Sequence, residues 1–299
     1  MTMPPLSPDG LPIAFIGTGV MGSSMAGHLR QAGCRLTVFT RTRAKAQPLL
    51  DAGARWAETP AVAASGARVV FSIVGFPDDV ASVYLGETGI LSTASSGTIL
   101  VDMTTSRPDL AQQIADVARD KGCSALDAPV SGGDIGAREA RLSIMVGGDE
   151  AAFHAVRPLL ELMGQNIVYH GLAGSGQHTK MANQIVIASS MMAICEALVY
   201  AKASGLDPDT VLQSISGGAA ASWSLSNLAP RILKGDFAPG FYVKHFLKDL
   251  NIALESAQAM GLQLPGLAKA RELYQKLYDK GFGDEGTQAL HRLYADRLI

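Results

Sequence analysis

Near the start of the chain a short β-branched run, Ile13–Ile16, leads straight into Gly17-Thr18-Gly19-Val20-Met21-Gly22, and a helical stretch, Val20–Gln31, follows. A strand that enters a glycine turn and leaves as a helix returns through a crossover to a parallel neighbour. Strand–helix alternation is therefore expected downstream, and it is present. Further runs stand at Leu36–Phe39, Val69–Val74, Thr98–Val101, Ser124–Leu126, Ser143–Val146 and Ile167–Tyr169, with helix-like stretches such as Leu110–Lys121 between most of them. This pattern predicts an α/β region built on a mostly parallel, doubly wound sheet covered on both faces.

The glycine spacing has a chemical reading. Gly17 allows the tight turn, Gly19 lets a pyrophosphate approach the backbone, and Gly22 lets the helix pack closely on the strand; the helix N-terminus adds amide donors. A dinucleotide site over Gly17, Thr18, Gly19, Val20, Met21 and Gly22 is expected. An NAD site usually carries an acid about 20 residues past the glycines. Here the segment reads Thr40-Arg41-Thr42-Arg43, with no acid until Asp51. Arg41 and Arg43 can clamp a 2′-phosphate that an acid would repel. NADP(H) is the expected cofactor and NAD(H) the second choice; an ordinary solvated basic turn is the alternative.

The texture changes near Gly171. Residues 1–10, with three prolines and no periodicity, read as a flexible tail, and 11–172 as the dinucleotide-binding domain. Residues 173–299 read as an all-α domain for substrate binding and oligomerisation, opened by a long helix from Gly174-Ser175-Gly176 to about Ser204 and closed by Gly205. Later helical segments are expected at Pro208–Ile215, Ser222–Leu233, Val243–Met260, Pro265–Lys280 and Thr287–Leu298. The groove between the domains is the expected ligand site.

Composition excludes several classes. Hydrophobic residues are 47% and charged residues 17%, which suits a globular chain and not a disordered one. The net charge of −2 offers no basic surface for nucleic acid or anionic lipid. The uncharged stretch Met181–Cys195 is shorter than the roughly 18 apolar residues of a membrane span. No Lys or Arg precedes Arg30, so the basic start of a secretory signal is missing. Cys34, Cys123 and Cys195 are far apart with no CxxC, so neither a disulfide framework nor a metal site is expected, and a reducing cytoplasm fits.

Three further constellations carry chemistry. Lys180, Asn183 and Gln184 share a face at the start of the long helix, ahead of the largely apolar Ile185–Met192. An amine there would lose solvation, lowering its pKa toward working pH, and could exchange a proton with an alcohol or carbonyl oxygen. Asp127-Ala-Pro-Val-Ser131-Gly132-Gly133 follows a strand; its two glycines can expose amides as an anion nest beside the Ser131 hydroxyl. Thr104, in Asp102-Met-Thr-Thr105, could reach the nicotinamide end of a cofactor, and Lys248 shares a helix face with Lys244. Each has a plainer reading: a solvated helix start, a simple turn, a cap, and an ion-paired surface.

In order, GxGxxG near 17, DMTTS near 102, DAPVSGG at 127–133, MVGG at 145–148, GSGQHTKMANQ at 174–184 and GFYVKHFLKDL at 240–250 resemble the β-hydroxyacid dehydrogenase family. That family includes 3-hydroxyisobutyrate dehydrogenase, tartronate semialdehyde reductase and their glyoxylate and succinic semialdehyde reductase relatives, and the resemblance covers about residues 12–295. It implies an N-terminal Rossmann domain, an all-α C-terminal domain, and reversible hydride transfer between NAD(P)(H) and a small β-hydroxyacid or carboxylate-bearing semialdehyde. Lys180 corresponds to the acid/base, with Asn183 assisting. Ser131, Gly132 and Gly133 correspond to the substrate-carboxylate site. Thr104 and Lys248 correspond to cofactor contacts, and Val74, in Ile73–Pro77, is grouped with them. Homodimers or homotetramers are common in the family. Two segments depart from its pattern: Ala140-Arg141 where relatives often read Gly-Thr, and Val74-Gly75-Phe76-Pro77 where they often read MLPN. Arg141 could favour a second anionic group on the substrate. The alternatives are a non-catalytic NADP-binding scaffold, and a decarboxylating enzyme like 6-phosphogluconate dehydrogenase, whose C-terminal part is much longer than the about 125 residues after Gly174.

Overall fold

β1 (Pro12–Ile16), β2 (Arg35–Phe39), β3 (Arg55–Trp56), β4 (Val69–Ser72), β5 (Ile99–Asp102), β6 (Ser124–Asp127), β7 (Val130–Ser131), β8 (Leu142–Gly148) and β9 (Gly164–Tyr169) form one sheet. The computed structural model describes residues 3–296. The chain divides into two compact units, Met1–Lys180 and Met181–Ile299.

In the first unit the strand order is β3-β2-β1-β4-β5-β6-β8-β7, with β9 alongside β8. Pairings from β3 through β6 are parallel, β8 runs antiparallel to β6 and β7, and β9 runs parallel to β8. The sheet is therefore mostly parallel. The 3-2-1-4-5-6 order is that of dinucleotide-binding sheets, with its switch point between β1 and β4. β3 and β7 are two residues long and leave no periodic signal in the sequence.

The helices are α1 (Val20–Gln31), α2 (Gln47–Asp51), α3 (Pro60–Ala64), α4 (Pro77–Leu85), α5 (Pro108–Asp120), α6 (Gly133–Arg138) and α7 (Glu150–Leu160). Alternate strand residues feed two cores. Ile13, Phe15, Phe71 and Val101 pack with Met25 and Leu29 of α1 and Val156 of α7. Ala14, Ile16, Val70 and Leu100 pack with Val83 and Tyr84 of α4 and Ile114 of α5. Burial on both faces is why the strands read as continuous apolar runs.

Strand register sets up the site. Ile16 pairs with Ser72, Ser72 with Asp102, and Asp102 with Asp127, so the last residues of β1, β4, β5 and β6 lie in one row. The segments leaving those residues therefore emerge along one edge of the sheet.

One domain expectation is corrected. The described part of the expected tail, residues 3–10, lies against the first unit: Met3 and Leu6 pack on its core, and Leu6 N–H donates to Ala155 O at 2.8 Å. Packing of those two partly buried side chains outweighs the freedom of a proline-rich segment. Residues 1–2 lie outside the described residues. By packing, the first compact unit runs on to Lys180, past the expected boundary at 172, because Asp127 of β6 holds the start of the long helix by hydrogen bonds.

The second unit holds α8 (Ser175–Ala203) beyond Lys180, α9 (Pro208–Ile215), α10 (Trp223–Asn227), α11 (Ala229–Leu233), α12 (Val243–Ala259), α13 (Pro265–Leu277) and α14 (His291–Ala295). Its core centres on Phe246 and Tyr274, edge to face at 4.9 Å, with Met191, Ile194 and Leu198 from α8. Gly205, at φ 78°, ends α8 as expected. The segment expected as one helix over 222–233 is two, because Pro230 lacks the N–H that a continuous helix needs. The last expected helix begins as a 3₁₀ turn, Thr287–Leu290, and its end at Leu298 lies outside the described residues. By length and composition the whole of α8 is apolar enough to cross a membrane, which the shorter stretch Met181–Cys195 did not suggest. Within the second unit its apolar stripe is core.

One residue carries strain. Ala140 has φ 53°, the one positive value among the described non-glycine residues. Arg141 N–H returns to Gly136 O at 2.8 Å, closing α6 with Ala140 at the left-handed position that glycine favours. Ala140→Gly is expected to stabilise the protein by about 0.5–1 kcal/mol, since relief of the left-handed strain exceeds glycine's unfolded-state entropy. Chemical denaturation of both proteins checks this, and a variant no more stable than the parent would refute it.

Candidate active site

The glycine turn sits at the switch point. Gly17 has φ 96°, and a Cβ there would collide with the backbone carbonyl of Ile73. A Cβ at Gly22 would strike Gly17 O, so α1 can start this close to the end of β1 only with glycine at position 22. A Cβ at Gly19 would meet nothing within 4 Å. Gly19 is the N-cap of α1; no side chain caps the helix, and its first turn holds no acid. Open space before uncapped amide donors fits a pyrophosphate. Val20 is exposed and Met21 half-buried.

Thr40, Arg41, Thr42 and Arg43 lead out of β2. Arg41 is exposed and its Nη1 lies 2.9 Å from Asp79 Oδ1. Asp79, in the first turn of α4, also accepts from Phe76 N–H at 3.2 Å. The sequence hid this acid, because Asp79 reaches Arg41 only when β2 and β4 end at the same edge. The Arg43 guanidinium stacks on Trp56 at 5.4 Å.

Between β4, β5 and β6 a buried polar network replaces the apolar core. Tyr84 OH and Ser72 Oγ are 2.8 Å apart; Ser72 Oγ donates to Asp102 Oδ1 at 2.8 Å; Thr104 N–H donates to the same oxygen at 3.1 Å. Burial pushes the Tyr84 phenol up. Thr104 Oγ1 accepts from Val74 N–H at 3.0 Å, which ties together two expected cofactor contacts. Its hydroxyl hydrogen can still donate to a ligand.

Asp127, 4% exposed, reaches the first turn of α8. Its Oδ1 accepts from Gly174 N–H and its Oδ2 from Gln177 N–H, both at 2.8 Å. Burial raises its pKa to about 6, against the lowering effect of those two bonds. Gln177 is fully buried; its Nε2 donates to Thr104 O at 2.8 Å and its Oε1 accepts from Ser106 N–H at 2.9 Å. Lys180 lies one helical turn further and is 6% exposed. The solvated-helix-start reading of Lys180 therefore does not hold.

Ser131 ends β7, Gly132 has φ 130°, and Gly133, at φ 64°, opens α6. Arg141 pairs with Glu139 on the surface. In the second unit Asn183 Nδ2 donates to Gln184 Oε1 at 2.8 Å, and Gln184 Nε2 to the buried Asp249 Oδ2 at 2.5 Å. Lys248 Nζ lies 3.0 Å from Asp249 Oδ1 and its side chain is only 12% exposed. Lys244 instead pairs outward with Asp284 at 2.6 Å, so the two lysines of one helix face have different surroundings.

Sequence reasoning overlooked Asp127, Gln177, Ser72 and Asp79 as site residues. Asp127 and Gln177 stood inside quoted motifs; their signal was a polar side chain where a buried strand end or helix face was expected. Ser72 and Asp79 had no local signal.

Two family models cover the chain. Residues 12–171 match the NAD-binding domain of 6-phosphogluconate dehydrogenase, and residues 174–294 match a domain described as NAD-binding of NADP-dependent 3-hydroxyisobutyrate dehydrogenase. A 3-hydroxyisobutyrate dehydrogenase-like mitochondrial protein of Arabidopsis thaliana is 52% identical over 95% of this chain and 85% of its own. The 2-hydroxy-3-oxopropionate reductase of Escherichia coli is 43% identical over 96% of each chain. The Mycobacterium tuberculosis 3-hydroxyisobutyrate dehydrogenase, solved with L-serine, superposes with a TM-score of 0.88 at 31% identity, over 95% of this chain and 99% of that one. The second half matches a 3-hydroxyisobutyrate dehydrogenase domain and not one of 6-phosphogluconate dehydrogenase, and the relatives carry the names of enzymes, so the main reading is favoured over the decarboxylating and the scaffold alternatives. An NAD(P)-binding sheet ordered 3-2-1-4-5-6, an all-helical second unit, and these relatives together place the chain in the β-hydroxyacid dehydrogenase family, as an NAD(P)-dependent oxidoreductase of the 3-hydroxyisobutyrate dehydrogenase and 2-hydroxy-3-oxopropionate reductase type.

Proposed function

We propose that Lys180 is the proton donor and acceptor of this oxidoreductase. The observation that carries this reading is its burial one turn past Gln177, whose side chain is bonded to the segment after β5. That anchors the start of α8 at the carboxyl edge of the sheet, where α/β folds bind ligands. The nicotinamide, when bound, supplies or accepts the hydride. In reduction the Lys180 ammonium gives a proton to the carbonyl oxygen as it becomes a hydroxyl; in oxidation the neutral amine takes the hydroxyl proton. Ser131 and the amides of Gly132 and Gly133 hold the substrate carboxylate, and Asn183 orients the reacting oxygen. Fixing the carboxylate orients the reacting carbon, an effect worth several kcal/mol.

Gly17–Gly22 hold the pyrophosphate, with Val74, Thr104 and Lys248 contacting the nicotinamide half. NADP(H) is the preferred cofactor: Arg41 and Arg43 are both exposed at the end of β2, and the acid beside them, Asp79, is already held by Arg41 at 2.9 Å and by Phe76 N–H. A homo-oligomeric state is supported by exposed apolar residues on one side of α8, Val186 at 65% and Tyr200 at 75% exposure. Three buried free cysteines support a reducing, cytoplasmic location.

The substrate is a small aldehyde or hydroxyacid bearing a carboxylate. A spectrophotometric panel of glyoxylate, succinic, tartronate and methylmalonate semialdehydes and a sulfonate-bearing aldehyde, with NADPH and NADH, identifies it. Arg41→Ala/Arg43→Ala is expected to lower kcat/KM with NADPH by about 10–100-fold, the range of charge-assisted hydrogen bonds, and with NADH by less than about threefold. Equal losses with both cofactors would overturn the 2′-phosphate reading.

A further inference from the structure

The first turn of α8 is capped from far away in sequence. An ordinary helix N-terminus is capped by its own N-cap side chain through one acceptor. Here both oxygens of one carboxylate, at the end of β6, accept from Gly174 N–H and Gln177 N–H, and no acid lies in the helix's own first turn. The helix also sits directly on backbone. A Cβ at Gly176 would collide with Met145 O and lie 2.5 Å from Asp127 O. A Cβ at Gly147 would lie 2.7 Å from Gly176 N and 2.8 Å from Asp127 Oδ1. No layer of side chains cushions this seat. Gln177 then locks rotation about the helix axis, because its amide is held at both ends by Thr104 O and Ser106 N–H. Lys180 is three residues on and shares that helix face.

We propose that the Asp127 carboxylate and the Gln177 amide are a clamp that fixes the direction in which α8 presents Lys180, which makes them positioning residues for proton transfer. The inference rests on the proton-transfer reading of Lys180. Asp127 is a suitable anchor because a carboxylate at a helix N-terminus is held by both hydrogen bonds and the helix dipole. Gln177 couples the same turn to the segment carrying Thr104, so one side chain aligns the amine and the cofactor contact together. Misplacement of a reacting group by about 1 Å can cost on the order of 100-fold in rate, so a loosened clamp shows in turnover before it shows in binding.

The test uses two variants of the full chain. Gln177→Met keeps the volume and deletes both side-chain bonds. Asp127→Asn keeps one acceptor and turns an NH₂ toward an N–H donor. Each is made in the parent and in a Lys180→Met background, and its melting temperature and NADPH dissociation constant are measured first. In protein folded at the assay temperature, kcat is expected to fall about 30–100-fold, with KM and the NADPH dissociation constant within about threefold. The solvent deuterium isotope effect on kcat is expected to rise as proton transfer becomes more limiting. In the Lys180→Met background the same changes are expected to lower the residual rate by less than about threefold, because groups acting as a unit are non-additive. Parental kcat in folded Gln177→Met or Asp127→Asn overturns the clamp. Equal fold-losses in both backgrounds overturn it too, since a merely structural role would give them. Parental kcat in Lys180→Met alone overturns the proton-transfer reading, and the clamp's purpose with it.

Discussion

Lys180→Met is expected to lower kcat by about 10²–10⁴-fold, the usual contribution of a general acid or base, while leaving the NADPH dissociation constant within about threefold. Methionine is the better substitution because it fills most of the space of a side chain that is 6% exposed, whereas alanine would add a cavity to the lost amine. In the proposed role the amine acts on the reacting oxygen and not on the cofactor phosphates. Turnover and cofactor binding therefore separate. Steady-state kinetics with the best substrate of the aldehyde panel, alongside fluorescence titration of NADPH, measures both. A kcat within tenfold of the parent would remove Lys180 from the chemistry.

The glycine turn gives the second large effect, and it comes as a contrast. Gly17→Ala is expected to lose about 3 kcal/mol or more of stability, from left-handed strain plus the clash with Ile73 O. The clash cannot relax cheaply. Gly17 N–H is bonded to Phe39 O at 2.8 Å and Ile73 N–H to Ile16 O at 2.9 Å, so the turn is tied to strands on both sides. Gly19→Ala meets no protein atom and is expected to leave the melting temperature nearly unchanged. Its methyl group instead intrudes where the pyrophosphate is proposed to lie, an overpacking cost of about 1–3 kcal/mol, or roughly 5–150-fold in the NADPH dissociation constant. Thermal unfolding and NADPH titration of both variants check the contrast. Parental NADPH affinity in Gly19→Ala would place the cofactor phosphates elsewhere.

Much of this was legible in one dimension. β1, the glycine turn and α1 were readable because the apolar run and the glycine spacing are local, and α9 spans the expected Pro208–Ile215. Lys180 was readable as a helix residue ahead of an apolar stretch. The expected tail failed because the packing of two partly buried side chains, Met3 and Leu6, outweighs composition. The Arg41 environment was only half legible, since Asp79 joins it from another helix.

Local patterning alone determined the strand–helix alternation, the change to an all-helical second half, and which residue types stand near the glycine turn. Those features arise from periodicity and backbone preference within a dozen residues. Only the tertiary structure decided that Ser72, Asp102 and Asp127 end their strands side by side, and that Asp127 and Gln177 seat the start of α8. Strand register and hydrogen bonds between segments tens of residues apart make those arrangements. Because no periodic pattern along the chain encodes such pairings, the amine's surroundings became visible only once the sheet was closed and the helix laid upon it.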